Sequence, residues 1–366
     1  MSFSLRVLLE EMIERQASDL HLQAGVCPKF RIDGQMQSGT YTERLTPKRT
    51  IELAYSVLTQ RQKNTFELEH ELDFSFGIRN LARFRANCVK QRGCVGMVVR
   101  LIPYQVRTLH ELGLPASIGD LAGRPEGLVL VTGPPGSGKS ATLAAMIDKI
   151  NRERQGHIIT IEDPIEYLHT HQNCVVIQRE VGSDTSSFST ALRSSLREDP
   201  DVIMLGEMLD VRTISAALTI AETGHLVLAS MNTNSAAESV ARIIDVFPPE
   251  QQAQVRAQLA FALEGVITQQ LVKLANGHGR TAAVEVMLAT DDIRALLRRD
   301  EMVQVGLAMA AEAEDGMQTM NDSLSSLFLK GTVSREDCLK ASPNADEFLR
   351  MIGETTEPER GFLSAG

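Results

Sequence analysis

The chain has no tryptophan, four tyrosines and twelve phenylalanines in 366 residues, so aromatics make up only 4% of it. Stacking platforms for unpaired bases have little material here. Cysteine is sparse as well: Cys27, Cys88, Cys94, Cys174 and Cys338 contain no CxxC pair. That spacing excludes a disulfide framework and a zinc ribbon, and fits reduced thiols in a cytoplasmic protein. No apolar run approaches the roughly 20 residues that cross a bilayer. Glu10, Glu11 and Glu14 interrupt the N-terminal stretch where a signal peptide needs an unbroken apolar run. Positive charge is also in deficit, with 37 Lys and Arg against 47 Asp and Glu, a net charge of −10. A protein that wraps nucleic acid carries the opposite excess, so no nucleic-acid partner is expected.

What is present is the balance of a soluble globular chain, 43% hydrophobic and 23% charged, at a length that suits two domains. Leu5, Leu8, Leu9, Met12 and Ile13 recur at helical spacing and predict an opening amphipathic helix. Alternating residues then predict short strands: Phe30 and Ile32 before Asp33-Gly34, Phe74 and Phe76 before Gly77, and Val95, Met97, Val99 and Leu101. Together they describe a helix-plus-antiparallel-sheet domain over residues 1–103, ending at Pro103. Residues 104–126 hold two prolines and three glycines with little periodicity, and read as a linker and domain entrance. Beyond them the apolar runs Leu128–Val131, Ile158–Ile161, Val202–Leu205 and Leu226–Ser230 alternate with helical segments. This predicts an α/β domain over residues 127–353, a parallel-rich sheet with helices on both faces and C-terminal helices from about Asp291. Residues 354–366 read as a poorly ordered tail.

The strongest motif is Gly133-Pro134-Pro135-Gly136-Ser137-Gly138-Lys139-Ser140, a GxxxxGK[ST] phosphate loop between a strand and the helical run Thr142–Ile150. Its glycines let backbone N–H groups turn inward around phosphate oxygens, and the helix N-terminus favours the anion. Lys139 is placed to reach the β- and γ-phosphates of a nucleotide and Ser140 to ligate Mg²⁺; a chance glycine turn lacks this strand and helix context.

Carboxylates at strand ends come next. Asp199-Pro200-Asp201 leads into the run Val202–Leu205, which ends in Gly206-Glu207, so Glu207 falls where parallel sheets bind ligands. There it can handle the metal or orient the attacking water, where a plain surface acid would only be solvated. Glu162, Asp163 and Glu166 follow the run ending at Ile161, and a Mg²⁺-phosphate neighbourhood would offset their repulsion; an ordinary solvated acidic loop is equally consistent with the spacing. His225, just before Leu226–Ser230, can offer an imidazole donor to phosphate or serve only as a strand-start residue. The front domain carries Arg79, Arg83, Arg85, Lys90, Arg92 and Arg100 on its β segments. Solvated strand faces explain such a run, and so would an arginine supplied to a neighbouring subunit's phosphates, which requires an oligomer.

These motifs, in this order, resemble the secretion-type hexameric ATPases, and within them the type IV pilus retraction ATPases of the PilT/PilU type. The likeness is carried by ASDLHL (17–22), ARFRAN (82–87), VTGPPGSGKS (131–140), TIEDPIE (160–166), QREVG (178–182), ALRSSLREDPDVIMLGEM (191–208), AETGHLVLAS (221–230) and GMQT (316–319). The resemblance implies a PAS-like front domain, a RecA-like P-loop ATPase domain and a homo-hexamer. It further implies a ring that uses ATP and Mg²⁺ to power pilus retraction and twitching motility, cytoplasmic and peripheral at the inner membrane through a pilus platform protein. Carried over residue by residue, Lys139 and Ser140, followed by Ala141, form the Walker A end, and Glu207 is the Walker B carboxylate. Glu166 belongs to the Asp box, with Ser140, Glu166 and Glu207 around the metal. His225 opens the His box, and Arg83, Arg85 and Arg100 lie where the family's arginine fingers arise. The absence of a four-cysteine zinc module favours the retraction branch.

Three positions depart from the family pattern: Ala141 for threonine after Ser140, Leu209 for the arginine of GEMRD, and Asn232 for the histidine of LHT. Ala141 leaves Ser140 intact. Asn232 replaces a histidine donor with a neutral amide, and losing a donor aimed at developing charge costs about 3 kcal/mol of barrier. ATP binding with reduced turnover is therefore expected. Leu209 also removes an arginine able to pair with an acidic neighbour, and the Asn232 and Leu209 departures together motivate an alternative, an ATP-binding accessory ring subunit assisting a more active paralogue; a third reading, a RecA-like nucleic-acid motor, is opposed by the charge.

Overall fold

The computed structural model describes residues 3–32, 34–79, 81–102, 106–313 and 316–354. Asp33, Pro103 and the tail 355–366 lie outside them. The chain divides into two compact units, one of Met1–Gln105 with Glu166–Leu168, the other of Val106–Ile165 and the chain from His169.

In the front unit, α1 (Leu5–Glu14) begins where the Ser4 hydroxyl accepts the Val7 N–H, and it buries Leu5, Leu8, Leu9 and Met12. There follow β1 (Asp19–Leu22), β2 (Lys29–Ile32), β3 (Gln35–Ser38), α2 (Pro47–Tyr55), α3 (Gln60–Glu69), β4 (Glu71–Ile78), β5 (Ala82–Gln91) and β6 (Cys94–Ile102). The strands form one antiparallel sheet in the order β3-β2-β1-β6-β5-β4. Alternation sends Phe30, Phe74, Phe84, Val95, Met97 and Val99 into one core. Gly77 does not end its strand: it pairs with Arg83 inside the β4–β5 ladder.

The second unit contains α4 (Ala116–Ala122), β7 (Gly127–Thr132), α5 (Lys139–Glu153), β8 (His157–Glu162), β9 (Val175–Glu180) and α6 (Phe188–Ser195). It continues with β10 (Val202–Leu205), α7 (Val211–Glu222), β11 (Leu226–Met231), α8 (Ala236–Asp245), α9 (Pro249–Ala262), β12 (Leu263–Lys273) and β13 (Arg280–Leu288). Five helices close it: α10 (Asp291–Arg299), α11 (Val305–Ala311), α12 (Met320–Leu329), α13 (Arg335–Ala341) and α14 (Ala345–Met351). Its sheet runs β13-β12-β7-β11-β10-β8-β9, all parallel except the β12–β13 edge pair. The central strands are apolar on both faces because both are covered. Leu128 and Leu130 of β7 pack with residues of α6 to α10, while Val129 and Val131 pack with Ile118 and Leu121 of α4 and Leu143 and Ile147 of α5. A third cluster joins Val272 and Ala283 of the edge strands to Met320, Leu324 and Phe348 of the C-terminal helices.

The linker expected over 104–126 is in part a structural element. Ile118 and Leu121 of α4 are fully buried. Seven residues are too few to declare a helical period, and a helix this short forms through tertiary burial. Among the thiols, Cys88, Cys174 and Cys338 are buried and Cys27 and Cys94 half-buried. Leu121→Ala should destabilise the second unit by about 2–5 kcal/mol, read as a lower urea midpoint at unchanged slope. An unchanged midpoint would remove α4 from the core.

Candidate nucleotide site

β7 ends at Thr132 and the chain turns through Gly133, Gly136 and Gly138, with φ of 140°, 77° and 95°. All three lie where a side chain is strained. Two are also crowded, since a Cβ on Gly133 would strike the Gln269 carbonyl and one on Gly138 would lie 3.0 Å from the Gln269 amide nitrogen. Gly138 caps α5 with no side-chain hydrogen bond, so the first N–H groups of this fifteen-residue helix face the loop. That is an anion site by construction.

The loop is braced from behind by Gln269 on β12, which is 2% exposed. Its amide donates to the Ser137 carbonyl at 2.8 Å and accepts the Thr142 hydroxyl at 2.8 Å, tying the loop to the first turn of α5. Below lies a chain of buried hydroxyls. Thr132 meets Thr268 at 2.9 Å, Ser239 donates to Thr132 at 3.4 Å, and Thr233 meets Ser239 at 2.6 Å. The Ser137 hydroxyl is buried with no hydrogen-bond partner among the described residues, an oxygen left for a ligand inside the cradle.

Lys139 Nζ donates to the Gly133 and Pro134 carbonyls at 2.8 and 3.1 Å and to Asn232 Oδ1 at 2.9 Å. Asn232 Nδ2 in turn donates to Glu207 Oε1 at 3.4 Å. One neutral amide thus spans an ammonium and a carboxylate, accepting from one and donating to the other. Glu207 is held beside β11 because the Met208 N–H donates to the Ser230 carbonyl at 3.0 Å and the Ser230 hydroxyl to the Gly206 carbonyl at 2.5 Å. After exposed Leu209, Asp210 caps α7: its carboxylate takes the Thr213 hydroxyl at 2.6 Å and the Thr213 and Arg212 N–H groups. These contacts, the Thr213 hydroxyl first, hold its carboxyl below the usual carboxylate range.

Ser140 lies in the first turn of α5, partly exposed, next to Lys139. Glu162, 6% exposed at the end of β8, accepts the Thr160 hydroxyl at 2.7 Å and the Gln178 amide at 3.1 Å. Glu166 is exposed in the segment that follows. His225 is not brought to the loop. It precedes β11, which runs parallel to β7, and its carbonyl accepts the Gly127 N–H at the start of that strand. The phosphate loop lies at the opposite end, about 20 Å away along six strand residues. The His225 ring faces the Ile220 carbonyl at 3.1 Å, so the fold does not bring it to the phosphate loop of its own chain.

On the front unit, Arg100 pairs with Asp19, 3% exposed, at 2.7 Å, and Arg31 approaches the same carboxylate at 4.0 Å. Arg85 lies directly opposite Arg100 in register, and Arg83 donates to the Ser75 hydroxyl at 2.6 Å.

Sequence reasoning missed Gln269, a buried polar residue in a strand that also carries Glu264, Thr268, Gln270 and Lys273, and the cavity beside the loop. This cavity, of about 570 Å³, is lined by Arg107, Leu112, Thr142, Leu271 and Arg280, with Gly138 and Ala141 of the loop end. Its size and mixed lining suit a small heterocycle next to the phosphate site.

Residues 3–304 match the family model described as type II/IV secretion system protein. The chain belongs to that family. It is 46% identical to the type IV pilus retraction ATPase PilT of Pseudomonas aeruginosa, over 93% of this chain and 98% of that one. It is 41% identical to the type IV pilus ATPase PilU of the same organism, over 98% and 94%. The crystal structure of a pilus retraction motor PilT with bound ADP superposes with a TM-score of 0.89 at 45% identity, over 95% of this chain and all of that one. The ATPase DotB of Legionella pneumophila superposes at 0.81 with 27% identity, over 92% and 95%. The expected fold class, a RecA-like P-loop ATPase domain with a parallel-rich sheet, preceded in the chain by a smaller PAS-like α+β domain, stands.

Gln269→Leu should weaken ADP binding by about tenfold or more, because the Ser137 carbonyl and the Thr142 hydroxyl are left unpaired at about 1–3 kcal/mol each. Calorimetric titration checks it, and unchanged affinity would show that the loop holds its shape without Gln269. Asp210→Ala should cost about 1 kcal/mol of stability at neutral pH. A depressed carboxyl stabilises above the ordinary carboxylate range and loses that contribution as pH falls through its folded value. Urea midpoints of variant and wild type should therefore converge in acid, and a gap constant with pH would contradict this origin.

Proposed function

We propose that this chain is an ATPase that drives type IV pilus retraction. The observation that carries the reading is the line Lys139–Asn232–Glu207 beside the glycine loop, which sets a cation for the γ-phosphate, a neutral donor and a carboxylate for water along one sheet edge. The loop N–H groups and the Ser137 hydroxyl receive phosphate oxygens, and Lys139 exchanges its hold on the Gly133 and Pro134 carbonyls for the β- and γ-phosphates. Adenine fits the cavity lined by Leu112 and Leu271.

Mg²⁺ fits the donor set. No cluster of three or more His, Cys, Asp or Glu side chains able to hold a metal exists among the described residues. This suits an ion held by one hydroxyl, phosphates and water rather than by a protein cage. Ser140 would be its ligand, with Glu207 the acid at the same sheet edge. When bound, the ion neutralises charge building on the phosphates. Glu207 orients the attacking water, and Asn232 fixes the Glu207 carboxylate by holding one of its oxygens.

A ring of six copies, in which Arg83, Arg85 or Arg100 of one subunit reaches the phosphates of the next, extends this reading. So does action on the cytoplasmic side of the inner membrane through a platform protein and alongside a paralogous ATPase. No described helix is long and apolar enough to cross a membrane. The accessory-subunit reading is not favoured, because Lys139, Ser140 and Glu207 are all present.

Phosphate release by the purified protein should require Mg²⁺ and fall at least about a hundredfold in Lys139→Ala and in Glu207→Gln. Asn232→His should raise turnover, and an unchanged rate would make Asn232 a tolerated variation. Release that persists in Lys139→Ala would overturn the reading.

A further inference from the structure

Glu285, on β13, is a carboxylate that the chemistry above does not use. It lies opposite Thr268 in the β12–β13 ladder, next to the buried hydroxyl chain under the phosphate loop. Its Oε1 accepts the Ala236 N–H at 2.7 Å, and the Met320 N–H stands close enough to pull its carboxyl down. Ala236 is the first residue of α8 and Met320 the first of α12. The caps of both helices are spent elsewhere: Ser235 accepts from Glu238, and Thr319 forms a reciprocal box with Asp322. One carboxylate therefore takes the first-residue N–H of α8, faces the first-residue N–H of α12, and lies at the positive end of both dipoles. Burial pushes its carboxyl up, and the Ala236 and Met320 N–H groups pull it down.

What the two helices are attached to gives this junction its meaning. Three residues separate Ala236 from Asn232, whose amide grips Lys139 and Glu207. Within that segment Thr233 joins the hydroxyl chain, and the Asn234 N–H donates to Glu238. On the other side, α12 packs Met320 and Leu324 against Phe348 of α14. Gln318, just ahead of it, pairs with Val286 on β13 and donates its side-chain amide to the Val284 carbonyl.

We propose that Glu285 is a positioning residue that couples the Asn232 segment to the C-terminal helices. A shift of Lys139 and Asn232 on nucleotide binding is thereby transmitted through the start of α8 to the start of α12. The proposal rests on the nucleotide reading above. It needs no contact between Glu285 and the nucleotide, and the path is a run of hydrogen bonds and rigid elements within the second unit.

Amide hydrogen exchange with and without ADP tests it, on wild type, Glu285→Gln and Ala236→Pro. Glutamine keeps the shape but turns a donor toward one helix end. Proline at a first helical position removes only the N–H that Glu285 accepts, and the extended backbone of Ser235 tolerates it. In the wild type, ADP should change exchange in the first turns of both α5 and α12 by at least about twofold. Each variant should keep the ADP affinity and the α5 response, lose the α12 response, and show kcat lowered about tenfold with KM unchanged. A wild type in which ADP protects α5 but leaves α12 unchanged would overturn the coupling, as would a variant that retains the α12 response. A wild type that binds no ADP would instead remove the nucleotide reading beneath it.

Discussion

The site depends first on the two hydrogen bonds of the Gln269 side chain. A phosphate loop is a backbone structure, and three residues with positive φ have no side chains to fix them. Its shape must be imposed from a neighbouring strand. Gln269 does this with one amide, receiving from Thr142 and giving to Ser137, in a position too buried for water to substitute. The same strand crowds Gly133 and Gly138 so closely that each accepts nothing larger. The loop and β12 thus specify each other, and the position of Lys139 follows from both.

Much of the second unit was legible in the sequence because central parallel strands are buried on both faces and read as continuous apolar runs. Leu128–Val131, Val202–Leu205 and Leu226–Ser230 fall on β7, β10 and β11 within one residue at either end. The strands β9, β12 and β13 carry polar residues such as Gln178, Gln269 and Glu285 and escape that test. Short helices escape for a different reason. Ile118 and Leu121 make a single turn of contact, and one turn has no period.

The site was legible where its chemistry is local. Lys139 and Ser140 follow from one contiguous string, and Glu207 from the end of an apolar run. Gln269 stands 132 residues from the carbonyl it holds, and no spacing announces such a pair. His225 shows the reverse hazard. A string of neighbouring residues spans the whole of β11, so its first member and Asn232 lie at opposite edges of the sheet although only six residues separate them. The front-unit arginines needed register to be understood, because Arg100 and Arg31 both lean on the buried carboxylate of Asp19.

The distribution of thiols carries a practical consequence. Burial pushes Cys88 up to about 12 and Cys338 up to about 11, and raises Cys174 as well, so none of the three offers a thiolate near neutral pH. Cys27 and Cys94, half-buried, both belong to the front unit. A maleimide dye or spin label added to the unmodified protein would mark that unit and leave the nucleotide-binding one unlabelled, so movement of the front unit can be followed spectroscopically without first engineering the native cysteines away.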